Sequence, residues 1–436
     1  MTYRESIVYL DSFVNYERQD NYDYKKSFNL ERMMRLASLL GDPQKGIRSI
    51  HVAGTKGKGS TCAIVYSILK KAGFNTGLYT SPHLVSLHER IRINDELIGK
   101  EDISRLLEKM KPAIDKMADD RPYFFEVYTA LAYLYFKEKK ADFVVYETGL
   151  GGRLDATNII EPLVCAITPI SYEHTDKLGN TLAQIAAEKA GIIKPGIVCI
   201  LAPQEKEALD VFVRICEEKK AKLILVGKDI VFDEIGGDDK LELFNVRSAV
   251  REYPFLTMRL LGAHQLMNAA TAIGAVEALG YKDITVPSDA IRMGVENTKW
   301  DGRLEVVERR PYLILDGAQN RASANALAKA IKRSFRYKRL VLVLGVSKDK
   351  DIKGIMEELL PISDSVVLTK SNILGRACEP SKIKEFVHSK DKEVILTSGV
   401  GEALVRARSM AAEDDLVLVT GSLFVVGEAR HACGKK

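Results

Sequence analysis

The chain has 436 residues, of which 46% are apolar and 28% charged, with a net charge of +5 at pH 7. That length points to two domains of ordinary globular composition, and the small positive balance suits an anionic substrate without demanding nucleic acid. No run approaches about 18 apolar residues and Met1-Thr2-Tyr3-Arg4-Glu5 opens no signal peptide, so a cytoplasmic chain without a membrane span is expected.

Apolar runs with β character alternate with helical patterns almost throughout, which predicts an α/β protein built on a mostly parallel sheet. In chain order, strands are predicted at Ile47–Val52, Gly77–Thr80, Asp142–Glu147, Leu163–Thr168 and Ile197–Leu201. Helices are predicted at Ser60–Lys71, Ile103–Met117, Glu126–Lys139 and Leu182–Ala190. Lys240–Leu261 alternates as antiparallel strands do, and a helix from His264 to Leu279 is expected to stop at Gly280. A second α/β series then begins, with strands at Tyr312–Asp316, Leu340–Leu344, Ser365–Thr369 and Asp415–Thr420. A boundary near Asn297–Lys299 divides the chain into domains 1–297 and 298–436. The six cysteines show no C-x-x-C spacing and read as buried, reduced thiols.

The chemistry concentrates at strand ends. Ile50-His51-Val52-Ala53-Gly54-Thr55-Lys56-Gly57-Lys58-Gly59-Ser60-Thr61 is an apolar strand feeding a glycine-rich turn and then a helix. Backbone N–H groups and a helix N-terminus there form an anion cradle. Lys58 would meet phosphates, and Ser60 or Thr61 would face Mg²⁺. The loop departs from G-x-x-x-x-G-K-[ST]: Val52 replaces the first glycine, and Gly59 separates lysine from hydroxyl. Ser81, Glu147 and His174 follow three further strands and share that sheet edge, where ligands bind in open parallel sheets. Together they form a candidate site for Mg²⁺, with Mn²⁺ also admitted by the histidine. Read singly, each is as well explained as a turn cap, an ion pair or a solvated side chain. Lys189 closes a helix, where a lysine suits the C-terminal dipole; only a carbamate of it would ligate metal. Asn268 and His264 lie one turn apart. Arg303 follows the boundary, and Asp316 ends a strand of the second domain.

Taken together, the ordered motifs resemble the folylpolyglutamate synthase/dihydrofolate synthase family, related to the Mur-type ATP-dependent amide ligases. The likeness runs from about Phe28 to Gly427. It is carried by Gly54–Ser60, Ser81-Pro82-His83-Leu84, Glu147-Thr148-Gly149-Leu150-Gly151-Gly152-Arg153-Leu154-Asp155-Ala156-Thr157-Asn158 and Asp316-Gly317-Ala318-Gln319-Asn320. The resemblance implies a P-loop-type, Mur-ligase-like ATPase domain followed by a smaller Rossmann-like α/β domain. It also implies ATP bound by Gly54, Thr55, Gly57, Lys58, Gly59, Ser60 and Thr61, with Asn268, Arg303 and Asp316 across a cleft. One or two Mg²⁺ would rest on Ser81, Glu147, His174 and a carbamylated Lys189. Phe28, Asn29, Leu30, Tyr123, Phe124, Leu154, Asp155 and Ala156 would line a pterin pocket. Lys58, Lys189, His174 and Arg303 would carry the catalysis.

The implied reaction adds L-glutamate to the γ-carboxyl of a folate tail through an acyl phosphate, releasing ADP and phosphate. The implied partners are folate, L-glutamate and ATP, with no nucleic acid or membrane, acting on a monomer. Joining glutamate to dihydropteroate as well is the nearest rival; a Mur ligase proper and a nucleotide-dependent switch without ligase activity stand further off. Three departures from the family pattern are visible: Lys56 for Asn, Gln319 for His and Asp301 for Pro.

Overall fold

Strands whose residues are buried on both faces build the first sheet. β1 (Arg48–Ala53), β2 (Thr76–Tyr79), β5 (Phe143–Glu147), β6 (Val164–Ile167) and β7 (Val198–Leu201) are near-continuous apolar runs, as parallel strands covered by helices must be. With β3 (Ile91–Ile93), β4 (Glu96–Leu97) and β8 (Lys222–Leu225) they form an eight-stranded sheet in the order β4-β3-β2-β5-β1-β6-β7-β8. Only β3 is reversed, pairing antiparallel with both β2 and β4. The structure is a computed structural model and describes residues 1–17, 22, 24–372, 375–387 and 392–434.

Alternate residues face opposite layers. Ile50, Val52, Val145, Val164 and Ile200 pack under the helices Lys58–Lys71, Ala263–Glu277 and Ser288–Glu296. Val144 and Tyr146 meet the helices Lys100–Asp115 and Phe124–Glu138, while Cys165, Ile167 and Cys199 meet Leu182–Ala190 and Lys206–Glu218. All six cysteines are free thiols, and five are buried. β9 (Val231–Gly237), β10 (Glu242–Arg247) and β11 (Glu252–Met258) form an antiparallel sheet; β10 and β11 fall where alternation predicts antiparallel strands, and β9 precedes the predicted stretch.

The helix from Ala263 does not stop on Gly280. It passes Glu277 into a tight 3₁₀ turn, Ala278–Lys282, and the left-handed residue is Asp283 at φ 57°. An aspartate tolerates that conformation, so the glycine is not needed as the stop.

The second sheet orders β12 (Glu305–Arg309), β13 (Tyr312–Leu315), β14 (Leu340–Leu344), β15 (Ser365–Leu368), β16 (Glu393–Leu396) and β17 (Leu416–Thr420) as β12-β13-β17-β14-β15-β16. All but β12 are parallel, with helices on both faces. Among the described residues no helix is long and apolar enough to cross a membrane.

Candidate active site

The turn after β1 leads into the helix Lys58–Lys71, capped by Gly57 at φ 87°. A side chain at Gly57 would meet Asn268 Oδ1 at 2.2 Å, and one at Gly59 would meet Trp300 Nε1 at 2.8 Å. Glycine therefore lets the loop pass under the helix Ala263–Glu277 and under the segment joining the sheets. Asn268 is held by its Nδ2 donating to Gln265 Oε1 at 2.9 Å. The loop is also stitched to the chain beyond β6. Thr55 and Lys56 N–H donate to the Pro169 carbonyl at 3.0 and 3.2 Å, and Ser171 N–H donates to Thr55 Oγ1 at 3.2 Å.

Ser81, Glu147 and His174 follow β2, β5 and β6; β5 and β6 flank β1, β2 lies beyond β5, and all run parallel to β1, so the three residues share its carboxyl edge. Glu147 is 5% exposed and accepts the Ser81 N–H at 3.3 Å. Burial raises its carboxyl above the usual range, while the Lys58 and Arg303 charges pull it back. His174 sits in the left-handed region at φ 53°, and burial holds its imidazole down at about 4, so the ring is neutral. The Thr61 hydroxyl oxygen is buried without a hydrogen-bond partner. An undercompensated carboxylate, hydroxyls and a neutral imidazole form a donor set that fits a hard divalent cation completed by phosphate and water. The described residues hold no compact group of three or more His, Cys, Asp or Glu, so the protein alone offers no closed metal cage.

Lys189 is buried and donates from Nζ to the Gly54 carbonyl at 2.7 Å. Burial, and then the Lys58 charge, brings its ammonium down to about 7. The Gly149–Asn158 loop lies against this helix end. A side chain at Gly152 would meet the Lys189 carbonyl at 2.9 Å, and Arg153 N–H donates to the Glu188 carbonyl at 2.7 Å.

From the second sheet, Asp316 accepts N–H bonds from Leu304 and Ala318 at 2.8 and 2.9 Å, which pins the Gly302–Leu304 turn. Arg303 sits in that turn, beside Gly317, and its charge reaches Asp316, Glu147 and His264. Asp301 pairs with Arg430 at 2.9 Å.

Between the sheets lies a cavity of about 760 Å³ lined from both sides. Phe28, Tyr123, Leu154, Asp155, Ala156, Ser81 and His174 line it, as do Gln319, Asp349, Lys350 and Arg376. Asn29, Leu30 and Phe124 do not. Asn29 caps the helix Leu30–Leu39, Leu30 opens it, and Phe124 is 3% exposed in the core beside Tyr128. Phe124 packs inward against Tyr128, and Phe125, the next residue of the helix, faces the cavity instead. Asp155 already accepts four donors, the N–H groups of Gly149, Leu150 and Thr157 and the Thr157 hydroxyl, so it organises its own loop. Sequence reasoning passed over Tyr16, Tyr22, Lys350 and Arg376. Lys350 had a usable signal, since its loop follows the predicted strand at Leu340–Leu344; Tyr16 and Tyr22 lie before any strand and had none.

A glycine-rich strand-to-helix loop, with a second α/β domain facing the first across a shared cavity, is the layout of a Mur-type ATP-dependent ligase. Residues 52–276 match the Mur ligase middle domain, and residues 302–423 match the Mur ligase glutamate ligase domain. The chain belongs to the folylpolyglutamate synthase/dihydrofolate synthase family of ATP-dependent glutamate ligases in folate metabolism. It is 37% identical over 412 residues to the dihydrofolate synthase/folylpolyglutamate synthase of Bacillus subtilis (strain 168), covering 92% of this chain and 94% of the relative. Folylpolyglutamate synthase of Mycobacterium tuberculosis complexed with ADP and AMPPCP superposes with a TM-score of 0.87 at 32% identity, covering 94% of this chain and 96% of that one. E. coli FolC in complex with DHPP and ADP superposes at 0.88 and 30% identity, covering 100% and 98%.

Proposed function

We propose that this chain adds L-glutamate to the γ-carboxyl of tetrahydrofolate tails through an acyl phosphate, and that dihydropteroate is a second acceptor in the same cavity. The observation that carries the reading is a cavity lined by both domains, whose wall includes Glu173, the partner of Lys56 in the glycine-rich loop. The relative bound to DHPP and ADP supports the second acceptor.

The loop from Gly54 to Thr61 holds the phosphates, and Lys58 screens the γ-phosphate as the acceptor carboxylate attacks it and ADP leaves. Arg303 from the second domain neutralises charge on the transferred group, and Asn268 and Asp316 fix the ends of the nucleotide cleft. The amine of glutamate then attacks the acyl carbon and phosphate departs. Positioning and screening of three anionic reactants is most of the task.

Ser81, Glu147 and His174 would hold Mg²⁺, with a carbamylated Lys189 beside a second ion; the metal supplies Lewis-acid screening of the phosphates. The Lys189 amine is buried and shifted toward the neutral form that adds CO₂. The pterin ring would lie against Phe28, Tyr123 and Leu154, with Ala156 beneath, and Asp155 shaping the loop; Asn29, Leu30 and Phe124 support that wall from behind. The working division is 1–297 for ATP and folate and 298–436 for glutamate ligation, in a cytoplasmic monomer whose cleft is complete within one chain. Dihydropteroate and tetrahydrofolate compared as acceptors, with ATP and glutamate fixed, test it. Both should yield glutamylated products; a chain that accepts neither is not this enzyme.

A further inference from the structure

Two of the departures noted in the sequence meet at one carboxylate. Lys56 Nζ lies 3.0 Å from both oxygens of Glu173, and Gln319 Nε2 donates to Glu173 Oε1 at 3.2 Å. Lys350 Nζ is 3.6 Å from the same oxygen. The Glu173 and Lys350 side chains are each 10% exposed, and Lys56 is 29% exposed. Lys56 belongs to the glycine-rich loop, whereas Gln319 and Lys350 belong to the loops after β13 and β14 of the other sheet. Glu173 therefore touches the anion loop with one side and the second domain with the other.

We propose that Glu173 is a positioning residue that couples nucleotide in the glycine-rich loop to docking of the second domain, through Lys56 on one side and Gln319 and Lys350 on the other. This rests on the reading of that loop as the ATP site. A phosphate in the loop competes with Glu173 for the Lys56 ammonium. As Lys56 turns toward phosphate, the carboxylate is left to Gln319 and Lys350, and the second domain is drawn onto the cleft. A site lacking the carboxylate would bind nucleotide but dock poorly, and the ligation step would suffer more than binding.

The test uses the full chain with Glu173→Gln, Lys350→Met and the double variant. ADP affinity is read by titration with Mg²⁺, turnover by phosphate release, and docking by solution scattering with AMPPCP and Mg²⁺. Glu173→Gln should lower kcat about 10-fold or more. It should leave ADP affinity within about threefold and abolish the compaction that AMPPCP produces in the parent. The double variant should lose no more than Glu173→Gln alone, because both act through one contact. Normal compaction in Glu173→Gln would overturn the proposal. So would additive losses, or a fall in Mg²⁺ affinity matching the fall in kcat, which would place Glu173 in the metal site. If Glu173→Gln fails to fold, Lys350→Met carries the same compaction test from the other domain. A parent that compacts but makes no glutamylated folate would sink the ligase reading and leave the coupling standing.

Discussion

A lysine takes up CO₂ only as the neutral amine, and burial decides how much of that form Lys189 holds. Its ammonium lies near 7 in the fold, against an ordinary value of about 10.4. Between those values the unfolded chain holds a proton that the folded chain has shed. The unfolded state thus binds more protons, and Lys189 makes stability rise with pH across that window. With ¹³C-labelled bicarbonate and Mg²⁺, a carbamate resonance is expected near pH ~8, weakening toward pH ~6 and missing from Lys189→Ala. A parent with no resonance at the higher pH would leave Lys189 a bare amine. Lys58 presents a different case, a cation on the first turn of the helix after β1 with its charge felt at Glu147 and Lys189. Lys58→Ala should cut turnover roughly 10²- to 10⁴-fold with little change in melting temperature. Near-normal turnover in the folded variant would remove it from phosphoryl transfer.

Among the elements, the turn between β1 and its helix is the one whose geometry is most tightly fixed. Gly57 needs both its φ of 87° and its missing side chain, because Asn268 occupies the space a methyl would fill. Gly73, near the other end of the same helix, has φ 89° and nothing within 4 Å. Ala at either position carries the left-handed backbone cost of about 1–2 kcal/mol. Only Gly57→Ala should also lose the rise in melting temperature that ADP and Mg²⁺ produce. If both variants respond to ADP alike, Asn268 does not shape the nucleotide site. This turn was readable from the sequence because strand, glycines and helix follow one another within a dozen residues. The contacts that complete it were not. Asn268 and Trp300 reach the loop from more than two hundred residues away, and no local pattern announces a long-range contact. The same limit explains Phe124 and Phe125: both are apolar at a helix start, and only packing decides which ring faces the cavity. Short strands at or next to a sheet edge, such as β3, β4 and β16, were not singled out, since two to four residues carry too little alternation to register.

At the scale of the whole molecule, the two α/β series were legible because buried parallel strands read as apolar runs ending in polar residues. Their partnership across a cleft rested on the resemblance rather than on any periodicity. The structure supplies its substance: the Arg303 charge from the second domain reaches Glu147 of the first, and a cavity is lined by residues of both, Ser81 and His174 on one side and Gln319 and Lys350 on the other. Because Arg303 stands on the second domain with its charge reaching Glu147 of the first, the proposed role predicts that Arg303→Ala lowers kcat roughly 10²-fold while the ATP KM stays within about threefold. A change confined to KM would make Arg303 a simple ATP contact. On the proposed function, one cleft consumes ATP only to join glutamate to a folate. Phosphate release from ATP should therefore be measured with tetrahydrofolate and L-glutamate supplied singly and together, and the folate product weighed. Phosphate release is expected only when both are present, one phosphate for each glutamyl residue added. Phosphate release that ignores either substrate, or that leaves the folate unextended, would contradict it.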